Sequence, residues 1–225
     1  MLLRYAKILL LILLSQAIFA QMQIDWQQCY CSMETDEAWD VVQVNDGYLV
    51  IGMQQGGDGQ VICSNTSGAW LLRINGTGEI DWQKCYSEKS AYRMFNEGVS
   101  SYIFYGNPTN DGGCVAIADI FSQGGDITNW YGGYDGWLVK LDSLGNTEWD
   151  FTVGSQNADA INGVKQTLDN GYIIAGYGRP DGISGNITNP SYTSSYADAV
   201  IYKLDSLGNP VWNKTYGGSN SDVAG

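Results

Sequence analysis

The alternation of apolar and polar positions is clearest at residues 135–149, which predict a strand, a tight turn and a second strand. Alternate positions of the first strand are apolar, as a period-two element requires. Asp142 stands where its carboxylate can accept hydrogen bonds from turn amides, and Gly145 and Asn146 tolerate the positive φ of a short hairpin loop. A β-hairpin is therefore predicted here.

This hairpin pattern occurs three times, again at 198–212 and more loosely at 68–82. Both faces of its first strand are largely apolar, and each copy carries one cation, which is Arg73, Lys140 or Lys203. A strand with two apolar faces belongs in a sheet that is covered on both sides. We therefore expect each hairpin to lie between neighbouring layers.

Two further strands precede each hairpin, joined by a turn rich in Asp, Asn and Gly. Each unit ends at a tryptophan, so Trp26, Trp82, Trp149 and Trp212 mark the period. A repeated four-stranded antiparallel meander of this length predicts a β-propeller. The predicted first strands are 38–44, 101–105 and 161–167, and the predicted second strands are 48–52, 114–118 and 172–176.

The predicted fold class is all-β, a β-propeller-like array of four-stranded antiparallel blades forming an incomplete ring of about three blades and the start of a fourth. Residues 24–27 match the last strand of a unit and could close a ring as an orphan strand. Propellers have roughly four to eight blades, so we expect the chain to be part of a longer protein. An open, solenoid-like array is the alternative. The predicted units are 24–82, 83–149, 150–212 and the next from 213 within a repeat region 21–225.

Long connections are predicted at one end of the blades and tight turns at the other. Loops 53–68, 119–134 and 178–197 join second to third strands, and an insertion at 87–97 joins two units. In an up-and-down meander both connection types leave at the same end. We call this expected surface the loop face.

The N-terminal segment 1–20 has the pattern of a secretory signal peptide. Arg4 and Lys7 precede an unbroken apolar run, and small residues before Gln21 offer a cleavage site. The run is short for a membrane span, although an uncleaved anchor is the alternative. We therefore expect a secreted or cell-surface protein, with no membrane span after cleavage.

The charge and composition of the chain limit the classes of molecule that it is expected to bind. The net charge of −13 becomes −15 without Arg4 and Lys7, because segment 1–20 holds no acidic residue. Such a surface repels phosphate backbones, so nucleic acid is not an expected partner. The 29 glycines, 15 tyrosines and 8 tryptophans favour short strands and turns.

Several segments resemble the repeat of secreted and surface proteins of gliding bacteria that use type IX secretion. They are Trp-Leu-Val-Lys-Leu-Asp at 137–142 with the hairpin to Trp149, Lys-Thr-Tyr-Gly-Gly-Ser at 214–219, and Asn-Gly-Tyr-Ile-Ile-Ala-Gly at 170–176. The resemblance covers nearly all of the mature chain and is loosest in the first unit, where Gly68 replaces Asp135. It implies a propeller array, often ending in a C-terminal sorting domain, and supplies no catalytic residues.

The chain has no histidine, which excludes catalysis and zinc binding that need an imidazole. Acidic residues that recur in the copies fit turn and loop caps better than an asymmetric active site. The remaining enzymatic alternative is a glycan-cleaving propeller that uses two loop carboxylates, such as Asp126 and Asp181. The recurring residues are Asp142 and Asp205 with Asn75, and Asp135 with Asp198.

The five cysteines show no metal-binding pattern. Cys29 and Cys85 share a slot that later copies fill with Thr152 and Thr215, which indicates a small strand residue. Cys114 stands where other copies carry tyrosine and should fill a packing position. An exported protein permits disulfides, and the odd count leaves the pairing open.

The loop face offers candidate ligand-binding residues, because aromatic rings beside polar groups suit sugars or protein partners. Their alternative role is to pack the loops onto the blades. We expect no cofactor, although Gly- and Asp-bearing loops give weak calcium candidates. The aromatic candidates are Trp130, Tyr131, Tyr134, Tyr192 and Tyr196, and the calcium candidates are Asp58, Asp126 and Asp181.

The preferred hypothesis is an exported, non-enzymatic propeller module that presents a glycan- or protein-binding loop face within a larger protein. A glycan-cleaving enzyme predicts that acidic residues outside the repeat converge at one end of the central axis. A structural spacer predicts no concave site.

Overall fold

The computed structural model describes residues 24–54, 56–63, 68–86, 105–121, 123–179, 185–187 and 196–224. Within these residues the chain forms strands and no helix, so the protein is all-β as predicted. The strands are β1 Asp36–Val44, β2 Gly47–Gln54, β3 Gly68–Asn75, β4 Ile80–Cys85, β5 Gly106–Pro108, β6 Cys114–Ile120, β7 Asp135–Leu141, β8 Thr147–Val153, β9 Ala160–Gln166, β10 Tyr172–Gly178, β11 Asp198–Leu204 and β12 Pro210–Tyr216.

The described strands form three four-stranded antiparallel sheets, each a meander of consecutive strands. We call them blade 1 (β1–β4), blade 2 (β5–β8) and blade 3 (β9–β12). None is closed into a barrel, and together they are propeller-like blades of an incomplete ring, as the sequence predicted. In each meander the turns that join the first to the second strand and the third to the fourth strand lie at one end of the sheet. The connections from the second to the third strand and from one blade to the next lie at the other end.

The turn between the third and fourth strands is the same in all three blades. In blade 2, Asp142 Oδ1 accepts hydrogen bonds of 2.8 Å from the backbone amides of Leu144 and Asn146. Gly145 has the positive φ, 82°, that glycine adopts most easily, whereas Asn146 does not need it. Asp205 and Asn75 cap their turns in the same way. Asp142, Asp205 and Asn75 therefore cap turns, which is the structural role that the sequence predicted for them.

The single cation of each copy pairs with one or two acidic residues of its own blade. Lys140 Nζ lies 2.8 Å from Asp111 and 2.7 Å from Glu148. Burial alone would lower the pKa of Lys140, but the two carboxylates raise it overall. Arg73 similarly contacts Asp46 in the first turn of blade 1, and Lys203 contacts Asp169 in blade 3.

The hydrophobic core lies between the blades. One cluster joins blades 1 and 2 through residues such as Leu49, Ile51 and Trp137. A second joins blades 2 and 3 through Leu138, Tyr172 and others. A third covers the opposite face of blade 1, where Trp70, Leu72 and Ile74 are buried. Blade-to-blade packing therefore explains why these strands are apolar on both faces.

A tryptophan of one blade packs on the turn of the next blade. A Cβ at Gly145 would lie 2.8 Å from the ring of Trp82, whose Nε1 donates to Ser143 O at 3.1 Å. Likewise, a Cβ at Gly208 would lie 2.6 Å from the ring of Trp149. Glycine is needed at these positions for close approach as well as for its φ.

Two predicted strands differ from the structure. Residues 24–27 form no strand with the described residues, and their pairing with the last blade of a closed ring stays a prediction. Trp26 nevertheless packs on Gly78 and donates from Nε1 to Gly76 O at 3.0 Å, the contact a last-strand tryptophan makes. The first strand of blade 2 is Gly106–Pro108, just after the predicted 101–105, of which 101–104 lie outside the described residues.

The cysteines include one disulfide, between Cys63 of the β2–β3 connection and Cys85 of β4, with a Cα–Cα distance of 5.7 Å. Cys85 therefore lies in a strand, as its position in the repeat predicted, and also forms a disulfide. Cys114 is a buried packing residue, as predicted. Cys29 and Cys31 are exposed, free thiols, and Cys29 does not lie in a strand.

Candidate functional site

A concave feature lies where the first strands of the three blades meet. It is a cavity of about 490 Å³, which we call the axial cavity. Strands β1, β5 and β9 line it, and β10 contributes an apolar wall. Its lining residues include Asp40, Tyr105, Asn107, Asn162 and Lys165, with Val42, Val164 and Ile174 among the apolar ones.

A β-bulge next to the cavity occurs in both complete first strands. In blade 1 the register shifts between Ala38 and Asp40, and in blade 3 it shifts so that Gly163 and Ile161 face consecutive residues of β10. Each bulge leaves one residue, Trp39 or Asn162, outside the ladder. Bulges redirect side chains, which brings Asn162 to the cavity wall.

Hydrogen bonds from these side chains join each blade to the next. Asp40 Oδ2 accepts from Gly106 N at 3.3 Å, and Asn107 Nδ2 donates to Val164 O at 3.0 Å. Asn162 Nδ2 donates to Ala224 O at 2.8 Å, in the segment that follows β12. The polar lining therefore has a structural role and is also held in fixed positions.

Lys165 adds the only cation among the lining residues that the structure describes. Its Nζ donates to Asn107 Oδ1 at 2.6 Å and the residue is exposed. An ammonium group has three donors, so this contact uses one of them. Tyr105 is also exposed, at 39%. The cavity thus combines an aromatic ring, two amides, a carboxylate and an ammonium group.

Carboxylate-pair chemistry has little support at this cavity. Asp40 is the one acidic residue among its described lining residues. Glycoside hydrolysis by the usual mechanism needs two carboxyl groups on either side of the bond. Of the predicted pair, Asp126 is exposed in the turn 124–127, and Asp181 lies outside the described residues. The convergence expected for the enzyme is therefore not seen in the described part of the chain.

The aromatic candidates of the loop face are only partly accessible. Trp130 is 39% exposed, with Nε1 donating to Gly133 O, and Tyr196 is 50% exposed. Tyr131 and Tyr134 are half-buried, and burial raises the pKa of Tyr131. Tyr192 lies outside the described residues. None of the four described aromatics lines the axial cavity.

Two buried aspartates have strongly raised pKa values outside the cavity. Burial raises the pKa of Asp119 to about 7 and that of Asp135 to about 7. Perturbed carboxylates can mark active sites. However, Asp135 Oδ2 accepts from Tyr131 N at 2.6 Å, which ties down the loop before β7. Its recurrence as Asp198 agrees with that structural role.

The calcium candidates do not converge in the described residues. Asp58 Oδ1 accepts from Met33 N at 2.7 Å, and Asp126 lies on a different loop. No group of three or more Cys, Asp or Glu residues able to hold a metal occurs in the described part of the chain.

Sequence reasoning missed the residues of the axial cavity. A signal was present, because the corresponding first-strand positions 42, 107 and 165 differ in chemistry, although Val and Gln flank that position in both blade 1 and blade 3. The bulges hid it, since they shift the register by one residue and are not visible in the alternation pattern.

The fold and cavity define a propeller-like repeat protein. No protein-family model matches the chain, and comparison with curated proteins gave no match. Across the ranges that the structure describes, no helix is long and apolar enough to cross a membrane.

Proposed function

We propose that this chain is a non-enzymatic, exported β-propeller repeat module that binds a glycan in the axial cavity. The observation that carries the proposal is the cavity itself, because its 490 Å³ falls within the roughly 300–1,000 Å³ typical of small-molecule sites. We therefore prefer the axial cavity to the loop face as the location of the ligand-binding site.

The lining chemistry favours a sugar. Sugar hydroxyls need fixed donors and acceptors, which Asp40, Asn162 and Lys165 provide, and an aromatic ring such as Tyr105 can pack on the apolar face of a pyranose. Because inter-blade hydrogen bonds hold Asp40 and Asn162, little ordering entropy would be lost on binding.

Binding is favoured over the two alternatives from the sequence. A cleaving enzyme would need a second carboxylate beside Asp40, which the described lining does not supply. A spacer would have no concave site. Export is part of the proposal and is supported by the signal-peptide pattern of residues 1–20. The proposal that export uses type IX secretion is supported by the repeat segments at 137–149, 170–176 and 214–219.

A second candidate function is protein binding at the loop face. Trp130 and Tyr196 are exposed there, and exposed aromatic residues are frequent at interaction sites. The backbone beneath Trp130 is fixed, since Thr128 N donates to Asp150 Oδ2 at 3.0 Å.

A glycan array screened with residues 21–225, followed by titration calorimetry on any hit, tests the proposal. We expect Tyr105→Ala and Asp40→Asn each to weaken binding by about tenfold, because each removes a contact worth roughly 1–1.5 kcal/mol. Asp40→Asn keeps an acceptor for Gly106 N, so the blade contact survives.

Trp130→Ala is the matched control, since Trp130 and Tyr105 are equally exposed at 39% but only Tyr105 lines the cavity. Loss of binding in Trp130→Ala with unchanged binding in Tyr105→Ala would move the site to the loop face. Absence of any glycan ligand would reject the glycan proposal.

A further inference from the structure

One face of blade 3 is not covered by the described residues, whereas the corresponding faces of blades 1 and 2 are. It consists of half-buried side chains from β10 and β11 and exposed side chains from β12, and we call it the outer face of blade 3. Its members are Ile173, Ala175, Ala199, Ile201, Lys203, Trp212, Lys214 and Tyr216.

The β10 and β11 positions of this face match positions of blade 2 that are buried between blades. Ile173 and Ile201 correspond to Val115 and Leu138 of blade 2, which are both 0% exposed. Tyr216 is 55% exposed, whereas its counterpart Tyr86 in blade 1 is 2% exposed. The outer face is therefore apolar at the positions where blades contact each other.

Trp212 is the fourth member of a series of tryptophans. Trp26, Trp82 and Trp149 each pack on a glycine of the following third-to-fourth-strand turn, namely Gly78, Gly145 and Gly208. Trp212 occupies the same register and is 43% exposed.

Residues 217–224 make contacts equivalent to those of the segment that precedes blade 3. Gly218 N donates to Asp222 Oδ2 at 2.7 Å, as Ser155 N donates to Asp159 Oδ2 at 2.6 Å at the entry to blade 3. Asp222 N donates to Ala197 O at 2.7 Å, and Asn162 holds Ala224 O at the axis. These contacts direct the backbone alongside the outer face.

We propose that the outer face of blade 3 is a docking surface for a further four-stranded unit of the same repeat. The partner is defined by its chemistry. It presents a turn of the Asp/Asn-x-x-Gly type, whose glycine receives the ring of Trp212, and an apolar third strand that covers Ile201.

A second copy of this chain fits the surface less well. Its blade 1 has the required turn, but Trp26 already covers Gly78, and Tyr30 Oη donates to Gly78 O at 2.6 Å. A second copy would therefore have to displace its own N-terminal segment.

The test uses an extended chain in which residues 162–216 are repeated directly after Ala224, so that Asp222 stands where Asp159 stands before blade 3. Blade 3 is chosen because it has no cysteine. The protein is labelled with 5-fluorotryptophan, and Trp212→Phe assigns the Trp212 resonance. We expect this resonance to be sensitive to exchange of H₂O for D₂O in the original chain and to lose that sensitivity in the extended chain.

The repeated copy of Trp212 at the new end is an internal control, since it has the same sequence context but no following blade. It should stay sensitive to the solvent. Ile201→Glu in the original blade 3 should restore the sensitivity of Trp212, whereas the same change in the repeated copy should not.

Three results would overturn the proposal. Trp212 could stay solvent-sensitive in the extended chain, or protease could trim the appended segment back to residue 224. Protection of Trp212 that rises with the concentration of the original chain, and that extension does not change, would assign the surface to a second copy.

Discussion

Blades 2 and 3 have nearly the same sequence pattern but different surroundings. Every residue of β6 and β7 is buried, because blade 2 packs against a neighbour on both faces. In β10 and β11 buried residues alternate with half-buried ones, because the described residues pack on one face of blade 3 only. The alternation in burial thus arises from packing and not from the strands themselves.

The comparison extends to the paired cations. Lys140 has a side chain 2% exposed and contacts two carboxylates, whereas the side chain of Lys203 is 14% exposed and contacts Asp169 alone among acidic groups that the structure describes. A cation on an inter-blade face therefore needs more compensation than one on an open face. The same substitution at equivalent positions of blades 2 and 3 should therefore change the free energy of unfolding by different amounts.

The largest difference is expected at the matched positions 138 and 201. Leu138→Ala should lower the free energy of unfolding by about 3 kcal/mol, because it leaves a cavity between blades 2 and 3. Ile201→Ala should cost only about 1 kcal/mol, since Ile201 is half-exposed. Urea denaturation of both variants measures the difference, and equal losses would show that the two blades are not distinct environments.

The next largest effect should come from Asp119, which lies on the strand face that blade 3 covers. Its raised pKa of about 7 means that the native state holds a proton that the unfolded state releases above about pH 4. Stability from this group is complete below pH 4 and lost as the pH rises through 7. Asp119→Asn should therefore raise the free energy of unfolding by roughly 2 kcal/mol at pH 8.

Denaturation of wild type and Asp119→Asn at pH 4 and pH 8 separates the electrostatic effect from a change in packing. The gain should shrink toward pH 4, because the aspartate is then protonated in the native state. A gain of the same size at both pH values would show that the buried charge is not its cause.

A smaller effect is expected for the paired cations. Lys140→Met should cost about 1–2 kcal/mol, because Asp111 and Glu148 lose their partner, whereas Lys203→Met should cost less than about 0.5 kcal/mol. The pKa of Asp111 is lowered to about 2, against the effect of its partial burial, because its carboxylate accepts hydrogen bonds that include one from Lys140. The cost of Lys140→Met should therefore decline as the pH falls from about 4 toward 2. A cost that does not depend on pH would assign the effect to packing.

The smallest effect should be at Trp212. Trp212→Ala should change the free energy of unfolding by no more than about 0.5 kcal/mol, because Trp212 is 43% exposed and no turn glycine among the described residues meets its ring. Trp149→Ala, at the matched position of blade 2, should cost about 2 kcal/mol, since Trp149 packs edge-on against Tyr172 at 5.1 Å. Similar losses would indicate that Trp212 is covered in solution.

Much of the fold could be predicted because its signals are local. The alternation of apolar residues located most strands, and the Asp142 and Gly145 pattern located the hairpin turns. These features depend on residues within about five positions of each other. Periodicity then supplied the blade order without knowledge of any long-range contact.

The axial cavity could not be predicted in this way. The hydrogen bond from Asn107 to Val164 O spans 57 residues, and that from Gly106 N to Asp40 spans 66. Such contacts follow from how blades stack and from the bulges at Trp39 and Asn162. The partner of Cys85 was hidden for the same reason, since it lies in an irregular connection.

The tight turns and the long connections lie at opposite ends of each sheet, and this separation has an evolutionary consequence. The end that carries Gly78, Gly145 and Gly208 sets the spacing between blades and tolerates little change. Loops at the opposite end can gain or lose residues without shifting the register of any strand pair, so binding properties can diversify there while the β-sheet scaffold stays the same.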